Sequence, residues 1–484
     1  MLDSILKAPQ EIRRDIAARA QARRLALNMS QKELAARSGV SLGSVKRFET
    51  TGEISLSSLL SIAMVLNDLE AFAGLFSPPR PENLFTLEEP TPVKELGENV
   101  MNLDVHLHAH GERHYVGKLA EQGGTILFQY APEFLDSGIN ISPFKLPLSP
   151  EVKEDPKHTF DGLFGVFNDS LPDGWGLLLL DRALRKRGSS LQACLPLQRL
   201  AMVGMHGMGA LEYTPAIDQI DEVVSVAELD ALAEESLKVL RDAPVDVNQL
   251  DRLIQLNGSS AGARPKILVN VTEDYRIVPQ DTGGEPQGTP WIIKFRSAHE
   301  SPDTGLMEYA YSIAAREAGL DMPETHLFPS ETTPGYFGVK RFDRVQGMKV
   351  HVHTACGLLH ASHREPSLTY ESLLRLTLLL TKDMREVHKM VRLMVFNVRS
   401  GNKDDHSKNF SFLLDKNHQW RMAPVYDLTP SEGINGEQTC MVNNKGLSIT
   451  EKDLQAAAAT VDVDARTVSE MIQQVDEALA KVKK

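Results

Sequence analysis

The chain of 484 residues is poor in cysteine, with only three, and Cys194, Cys356 and Cys440 are scattered without paired spacing. This pattern argues against a disulfide framework or a zinc site and fits a reducing compartment. The sequence also lacks an apolar run of membrane-spanning length, an internal repeat, and the basic-then-apolar start of a secretory signal. We therefore expect a cytoplasmic protein of two to four domains, without a membrane partner.

An excess of basic residues is also missing from the chain as a whole, whose formal net charge is −13. This charge does not by itself suggest a nucleic-acid partner. The average is misleading, because residues 1–77 carry ten Lys and Arg against eight Asp and Glu. The acidity therefore lies entirely in the downstream part of the chain.

The N-terminal segment has the pattern of a helix-turn-helix domain. An amphipathic helix is predicted over 12–27, and Ser30 with Glu33 forms a capping box that opens a second helix. Gly39 permits a turn, and Ser41 caps a third, short helix. In this motif the second helix of the pair enters the major groove of DNA. The candidate DNA-binding residues are Gln31, Ser41, Gly43, Ser44, Lys46 and Arg47, with Gln31 suited to a phosphate.

A small helical bundle that contacts proteins is the alternative for this segment.

Downstream, five prolines between residues 78 and 92 predict an extended, semi-rigid linker over 78–100. Alternating apolar and polar residues then predict three strands in a small β-rich subdomain over 101–185.

Asp404 and Asn409 stand five residues apart, and Asp427 follows beyond an apolar strand. Protein kinases use this order: an Asp near the acceptor hydroxyl, an Asn that holds a metal, and a later Asp that holds Mg2+ against the phosphates. Asp405 does not fit the spacing, so Asp404 is the candidate base. These oxygen ligands predict ATP with Mg2+, held by Asn409 and Asp427.

The remaining parts of such a site lie upstream. Residues 256–266 form a small-residue loop whose backbone N–H groups can approach a phosphate. Lys294 lies on a short buried strand and is expected to reach the α- and β-phosphates, and Glu308 on the following helix could pair with it. The candidate ATP-binding residues of the loop are Ala261, Gly262, Ala263, Arg264, Pro265 and Lys266.

Each motif alone has a simpler interpretation, such as an ordinary turn for the loop or a surface lysine for Lys294. Asp427 could be a turn residue. His406 either orients the loop or touches nucleotide, and Lys408 contacts a phosphate or is solvated. The occurrence of all motifs in kinase order favours a phosphoryl-transfer site.

The motifs together resemble the HipA-type serine/threonine kinases, the toxins of bacterial type II toxin–antitoxin modules. The matching segments are residues 259–266, 339–344, 401–410 and 426–430, and residues 171–176 resemble the N-terminal region of that family. The resemblance covers about residues 101–480. In addition, residues 29–41 closely resemble Cro/repressor-type (XRE) DNA-binding domains.

The resemblance implies an α+β fold in which an all-α helix-turn-helix domain (1–77) and a linker precede a two-lobed kinase. The kinase would comprise the β-rich N-subdomain, an N-lobe over 186–350 and a mostly helical C-lobe over 351–484. It would autophosphorylate Ser259 or Ser260. The ATP site would also include Lys294, Lys340, Arg341, Phe342, His406, Ser407, Lys408, Asn409, Tyr426 and Asp427. At Lys340 the best-known members have an acidic residue, which matters little if this position binds adenine through its backbone.

In the family the toxin usually pairs with a separate XRE-type antitoxin, whereas here such a domain begins the same chain. The resemblance therefore implies a fused module that restrains its own kinase and binds operator DNA as a homodimer. Known relatives phosphorylate aminoacyl-tRNA synthetases, but nothing in this sequence identifies the protein substrate. Two alternatives stay open: a non-catalytic, nucleotide-sensing transcription regulator, and a small-molecule kinase with a DNA-binding domain.

Overall fold

The computed structural model describes residues 9–69, 72, 81–87, 102–155, 157–186, 188, 190–191, 194–216, 228–245, 247–257, 262–278 and 288–482. The chain divides into two compact units, Met1–Arg80 and Pro81–Lys484. The first is helical and the second mixes helices with antiparallel sheets, so the predicted α+β class is confirmed.

The N-terminal unit is a bundle of short helices built around Leu34, Val45, Phe48 and Ile62. Its helices are α1 (Pro9–Ala26), α2 (Gln31–Ser38), α3 (Leu42–Thr51) and α4 (Leu56–Val65).

Local capping decides where α2 and α3 begin and end. The hydroxyl of Ser30 accepts the N–H of Glu33, and Gly39 closes α2 at a φ of 69°, where a side chain is disfavoured. The hydroxyl of Ser41 accepts the N–H of Ser44 at the start of α3. The predicted helix-turn-helix is therefore confirmed, with Ser41 as the cap of its third helix.

A buried ion pair joins α1 to α3. The guanidinium of Arg24, which is 5% exposed, donates to both carboxylate oxygens of Glu49 at 2.7 and 2.8 Å. The amide nitrogen of Gln31 donates to the same carboxylate at 2.7 Å. In this structure the Gln31 side chain therefore binds inside the domain, and its contact with a DNA phosphate stays a prediction.

The second unit begins with a five-stranded antiparallel sheet in the order β4-β3-β2-β1-β5. Its strands are β1 (Asn102–Ala109), β2 (Glu112–Gln122), β3 (Thr125–Tyr130), β4 (Lys153–Glu154) and β5 (Leu211–Thr214). The edge strand β5 lies beyond residue 185, where the subdomain was predicted to end, because it pairs with β1 across a long connection.

The predicted linker also differs from expectation: Leu84–Thr86 is a 3-10 turn, and Leu84 is buried against Ala120 and Leu127.

A second five-stranded antiparallel sheet, in the order β7-β6-β8-β10-β9, packs against the helix α11 (Thr304–Glu317). Its strands are β6 (Lys266–Val271), β7 (Ile277–Val278), β8 (Thr289–Lys294), β9 (Thr325–Phe328) and β10 (Tyr336–Lys340). The strand β8 and the helix α11 match the strand and helix that the sequence predicted at Lys294 and Glu308. Two small sheets follow, formed by β11 (Arg344–Val345) and β12 (Met348–Lys349), and by β13 (His351–Thr354), β14 (Ser411–Leu414) and β15 (Trp420–Met422).

The rest of the second unit is mainly helical, and its central helix is α14 (Met384–Ser400). The apolar stripe of α14, which includes Val387, Met390, Val391 and Met394, is buried. The other helices are α5 (Pro132–Ser137), α6 (Gly165–Asn168), α7 (Gly174–Lys186), α8 (Pro196–Val203), α9 (Leu229–Leu240), α10 (Val247–Asn257), α12 (Ala355–Leu359), α13 (Tyr370–Thr381), α15 (Glu451–Ala459) and α16 (Ala465–Val482). Among the helices in the described ranges, none combines the length and apolarity needed to cross a bilayer.

Candidate active site

An ion-pair cluster lies where β8 ends beside α11. The ammonium nitrogen Nζ of Lys294 is 2.6 Å from Oε1 of Glu308 and also contacts Oδ1 of Asp427. Burial opposes the charged form of Lys294, but the two carboxylates outweigh it and raise its pKa. Burial would likewise raise the pKa of Asp427, yet Lys294 and Lys266 hold that pKa well below its usual range. The predicted pairing of Lys294 with Glu308 is therefore confirmed.

Lys266 lies directly opposite Lys294, because the two are partners in the antiparallel pairing of β6 with β8. Directly opposite residues of such a pair project from the same face of a sheet. Burial, together with the positive charge of Lys294, lowers the pKa of Lys266 to about 8. The site thus concentrates positive charge that a polyphosphate would neutralise.

Arg264 also belongs to this cluster and pairs with two glutamates. Its guanidinium donates to Oε1 of Glu300 at 2.6 Å and to Oε2 of Glu308 at 2.8 Å. Glu308 therefore binds Lys294 through one oxygen and Arg264 through the other. Pro265, next along the chain, accepts the N–H of Phe295 at 2.8 Å and joins the end of the loop to the sheet.

The candidate base Asp404 is exposed on the loop that follows α14. The backbone N–H groups of Lys403 and Asp404 both donate to the hydroxyl of Ser431 at 2.9 Å, a contact that the sequence did not suggest. The amide nitrogen of Asn409 donates to the carbonyl of Asp404 at 2.7 Å. The surrounding protein partly removes Asp404 from water, and this partial desolvation and the nearby charge of Asp427 raise the pKa of Asp404 against the opposing effect of His406.

Asp405 has a different role from Asp404. It is fully buried and accepts hydrogen bonds from the Tyr370 hydroxyl at 2.6 Å, from the Gln438 amide at 2.9 Å and from the Cys440 N–H at 3.0 Å. Burial raises the pKa of Asp405 to about 6. This carboxylate anchors the loop to the helical core, and its neighbour Asp404 is left facing outward.

Asn409 and Asp427 suit a Mg2+ ion that is bound together with phosphates. The hydrogen bond of Asn409 uses its nitrogen, so Oδ1 remains as the ligand atom. Asp427 has a φ of 52°, a left-handed conformation that is uncommon outside glycine and recurs at functional sites. Within the described ranges no group of three or more His, Cys, Asp and Glu side chains forms a cage for a metal. Two oxygen ligands plus substrate phosphates are a usual arrangement for Mg2+.

Three further predicted nucleotide-binding residues, Tyr426, Arg341 and Lys340, each contact a different part of the protein. The Tyr426 hydroxyl donates to the carbonyl of Lys408 at 2.6 Å, and its ring stacks on Phe342 with centroids 5.7 Å apart. The side chain of Arg341 is buried in a bidentate pair with Asp343, and its backbone N–H donates to the carbonyl of Pro290 at 2.9 Å. Lys340 lies at the end of β10, with Nζ 3.3 Å from a carboxylate oxygen of Glu324.

The remaining residues of the catalytic loop contact the protein itself. The Ser407 hydroxyl donates to the carbonyl of Ala361 at 2.8 Å, and the ring of His406 lies 5.7 Å from that of His363. Burial first, then Lys408, lowers the pKa of His363 to about 4. Ser259, Ser260 and Ala261 lie outside the described residues, so their assignments stay predictions.

The residue that sequence reasoning missed is Asp173. Its Oδ2 is 2.6 Å from Nζ of Lys408, and its Oδ1 accepts the N–H of Gly262. From the sequence, residues 171–176 only resemble the N-terminal region of the HipA-type kinases, and Trp175 within them is 1% exposed. An Asp between Pro and Gly usually makes local turn contacts, and nothing in the sequence pointed to a partner more than two hundred residues away.

In the N-terminal unit, the predicted DNA-binding residues other than Gln31, which lies on α2, are on α3 or cap its start. Gly43, Lys46 and Arg47 are exposed on α3, and within the described part of the chain a Cβ placed on Gly43 would meet no atom within 4 Å apart from its own helix backbone. Ser41 and Ser44 cap the start of that helix. Such a surface can approach a DNA backbone closely, and the DNA contacts stay a prediction.

Comparison with known proteins adds three family matches. The model of the HipA-like C-terminal domain matches residues 258–482, that of the HipA N-terminal domain matches 103–214, and a helix-turn-helix model matches 21–71. The first two matches together span most of the second unit.

Two curated relatives are named as kinases. "Putative kinase Y4dM" of Sinorhizobium fredii is 26% identical over 213 residues, which cover 40% of this chain and 51% of that protein. "Putative kinase" of Haemophilus influenzae is 26% identical over 183 residues, which cover 35% of this chain and 51% of that protein. The chain thus spans about half the length of these curated relatives.

A solved structure has a similar fold. In the complex of HipA and HipB of Shewanella oneidensis MR-1 with its operator DNA, a chain is 17% identical with a TM-score of 0.58. The similarity covers 78% of this chain and 90% of that one. Matched in order by helix-turn-helix, HipA N-terminal and HipA-like C-terminal models, the chain belongs to the HipA-like family and carries a helix-turn-helix domain at its N-terminus.

Proposed function

We propose that the protein is an ATP-dependent serine/threonine protein kinase of the HipA type, whose fused helix-turn-helix domain regulates it within a toxin–antitoxin system. The observation that supports kinase activity best is the contact of Lys294 with both Glu308 and Asp427, in a chain that also places Asp404 and Asn409 on one loop. Phosphoryl transfer requires positioning and charge neutralisation, and these residues provide both.

Each residue has a defined role in this proposal. Lys294 and Lys266 bind nucleotide phosphates, and Glu308 holds Lys294 in place. Asn409 and Asp427 hold Mg2+, which when bound neutralises the charge of the phosphates. Asp404 accepts the proton of the acceptor hydroxyl, since its exposure leaves room for a protein substrate.

The N-terminal unit supports the second half of the proposal. The exposed Lys46 and Arg47 lie on the helix that enters the major groove in helix-turn-helix proteins. Dimers of such proteins bind two half-sites, so we propose a homodimer that binds operator DNA and represses its own promoter in the cytoplasm. A translation protein such as an aminoacyl-tRNA synthetase is the proposed class of substrate.

The decisive experiment measures phosphate transfer from Mg-ATP by the wild type and by Asp404→Asn, with mass spectrometry of the protein and of a treated cell lysate. We expect transfer to Ser or Thr of lysate proteins by the wild type alone, with equal ATP binding by both. Equal transfer rates would exclude Asp404 as the base. ATP binding without transfer would favour the nucleotide-sensing regulator, and phosphate found only on small molecules would favour the small-molecule kinase.

A further inference from the structure

We propose that Asp173 is a positioning residue that holds the phosphate-binding loop against the catalytic loop, so that the two form one nucleotide site. The inference rests on the proposed kinase function. It assigns to the turn Pro172–Trp175 of the N-terminal subdomain a part in ATP binding.

The first support is that one carboxylate joins two distant segments. Oδ1 of Asp173 accepts the N–H of Gly262 in the phosphate-binding loop. Oδ2 lies 2.6 Å from Nζ of Lys408, which immediately precedes the metal-binding Asn409. The side chains of Asp173 and Lys408 are only 14% and 9% exposed, so this ion pair is shielded from water. Shielded, charge-assisted hydrogen bonds are the strong ones.

The second support is that residues of the turn form hydrogen bonds with both backbone polar groups of Gly262, its N–H and its carbonyl. While Asp173 accepts its N–H, the N–H of Trp175 donates to its carbonyl at 3.0 Å. The peptide groups on both sides of Gly262 are therefore fixed by residues of the turn. A loop residue held at both groups cannot rotate without breaking one of these bonds.

The third support is close approach at two points of the loop. A Cβ added to Gly174 would lie 2.7 Å from Cα of Ala263, one of the candidate phosphate-binding residues. A Cβ added to Gly176 would lie 2.6 Å from Cβ of Pro172 and 2.8 Å from Nδ2 of Asn257, near the start of the loop. The turn thus packs closely against the loop, and at Gly174, where the clash would be with backbone, only glycine leaves enough room.

The charges agree with this role. Burial would raise the pKa of Asp173, but Lys408, the N–H of Gly262 and the charge of Lys266 together lower it. Asp173 is therefore ionised, and Lys408 neutralises it in place. Because Lys408 neutralises it, the Asp173 carboxylate can orient the loop without repelling the nucleotide phosphates.

The test compares the full-length wild type with Asp173→Ala, Lys408→Met and the double variant. Loss of a hydrogen-bonded charge pair predicts Mg-ATP binding that is weaker by about tenfold to hundredfold in each single variant. The double variant should bind about as weakly as Asp173→Ala, because both lose the ion pair with Lys408 and the hydrogen bond to Gly262. Adenosine, which lacks phosphates, should bind all four proteins within about twofold, because only the phosphate-binding part is displaced.

A matched control is Asp104→Asn, which removes a half-buried Asp–Lys pair with Lys118 in the first sheet and should leave Mg-ATP binding unchanged. Hydrogen exchange of residues 262–266 in nucleotide-free protein gives a second measurement. It should be faster in Asp173→Ala than in the wild type and the control.

Unchanged or tighter Mg-ATP binding by Asp173→Ala would overturn the proposal, as would an equal loss of ATP and adenosine binding. If the wild type binds no ATP, the kinase proposal fails. The exchange of residues 262–266 then still decides whether Asp173 holds the loop.

Discussion

Lys266 and Lys294 are directly opposite each other on the antiparallel strands β6 and β8. The carboxylate of Asp427 contacts the ammonium group of Lys294. Two neighbouring buried ammonium groups repel each other, and this repulsion adds to the effect of burial on Lys266. Asp427 relieves part of that repulsion in the free protein. In the proposed site, Mg-ATP would replace this internal neutralisation, because its phosphates would bind the lysines and its metal ion would bind Asp427.

ATP binding should therefore depend on pH through Lys266. With a pKa of about 8, this lysine is protonated below pH 8 and loses its proton as the pH rises. Bound phosphates favour the ammonium form and raise its pKa, so binding above pH 8 requires proton uptake. Affinity should fall by up to about tenfold per pH unit there, since one pKa unit corresponds to about 1.4 kcal/mol.

Calorimetry in buffers of different ionisation enthalpy measures this proton uptake directly. The control variant Lys266→Arg keeps its charge and should bind with nearly constant affinity from pH 7.5 to pH 9.5, an interval chosen around the pKa of about 8. The phosphates themselves do not interfere, because their second pKa is about 6. An equally steep decline in Lys266→Arg would show that another group titrates.

Removing the charge of Asp427 should have opposite effects with and without Mg2+. Asp427→Asn loses a metal ligand, so Mg-ATP should bind at least about tenfold more weakly, the loss that even indirect metal partners cause. In EDTA the same variant should bind ATP no worse than the wild type, because Lys294 is released from its ion pair with Asp427. Titration calorimetry in both buffers checks this, and equal losses in both would remove Asp427 from the metal site.

The helix α3 should make DNA binding sensitive to salt. If Lys46 and Arg47 each contact a phosphate, each substitution by Ala should lower the slope of log affinity against log salt concentration by about 0.9. Fluorescence anisotropy with the upstream DNA of the gene measures this slope. Arg14→Ala removes an equal charge from an exposed position on α1 and should change the slope less. The absence of salt-sensitive binding by the intact protein would favour a protein-contact module.

The phosphate-binding loop should modify itself. Incubation with Mg-ATP is expected to add one phosphate at Ser259 or Ser260, as the resemblance to HipA-type kinases implies. The added charge of about −1.5 to −2 would repel nucleotide or pair with Arg264 or Lys266, so the modified protein should bind ATP poorly. Mass spectrometry locates the phosphate, with Asp404→Asn as the inactive control. An unmodified loop in a preparation that phosphorylates other proteins would contradict this prediction and leave the kinase assignment intact.

The hydroxyl of Tyr370 should stabilise the catalytic loop as well as the fold. It donates to Asp405 and accepts a hydrogen bond from Asn397 at 2.9 Å. Tyr370→Phe leaves buried polar groups without a partner, so the free energy of unfolding should fall by about 1–3 kcal/mol, and phosphate transfer should slow.

The matched control for Tyr370 is Tyr213→Phe, which loses a buried hydrogen bond to Ser170 in the first sheet. Denaturant unfolding should show a comparable loss of stability in both variants, whereas transfer by Tyr213→Phe should be unchanged. Equal transfer rates for the two variants would mean that the Asp405 anchor does not affect the loop.

The sequence by itself determined the elements with local causes. Ser30, Gly39 and Ser41 decide where the helices of the helix-turn-helix begin and end, since capping involves residues only two or three positions apart. The apolar stripe of α14 and the short strand of Lys294 follow from residue periodicity in the same way. The order of the phosphate-binding and catalytic motifs also predicted one shared site, and the structure brings Lys294, Glu308 and Asp427 of that prediction into contact.

Only the tertiary structure decided which distant residues support that site. Asp173 reaches Lys408 across 235 positions, and Ser431 binds the N–H of Asp404 across 27. The buried pair with Asp343 turns the Arg341 side chain away, and β5 joins the first sheet from beyond the predicted boundary. Such contacts depend on how whole elements pack, because a side chain's partner is set by three-dimensional distance and not by its spacing along the chain.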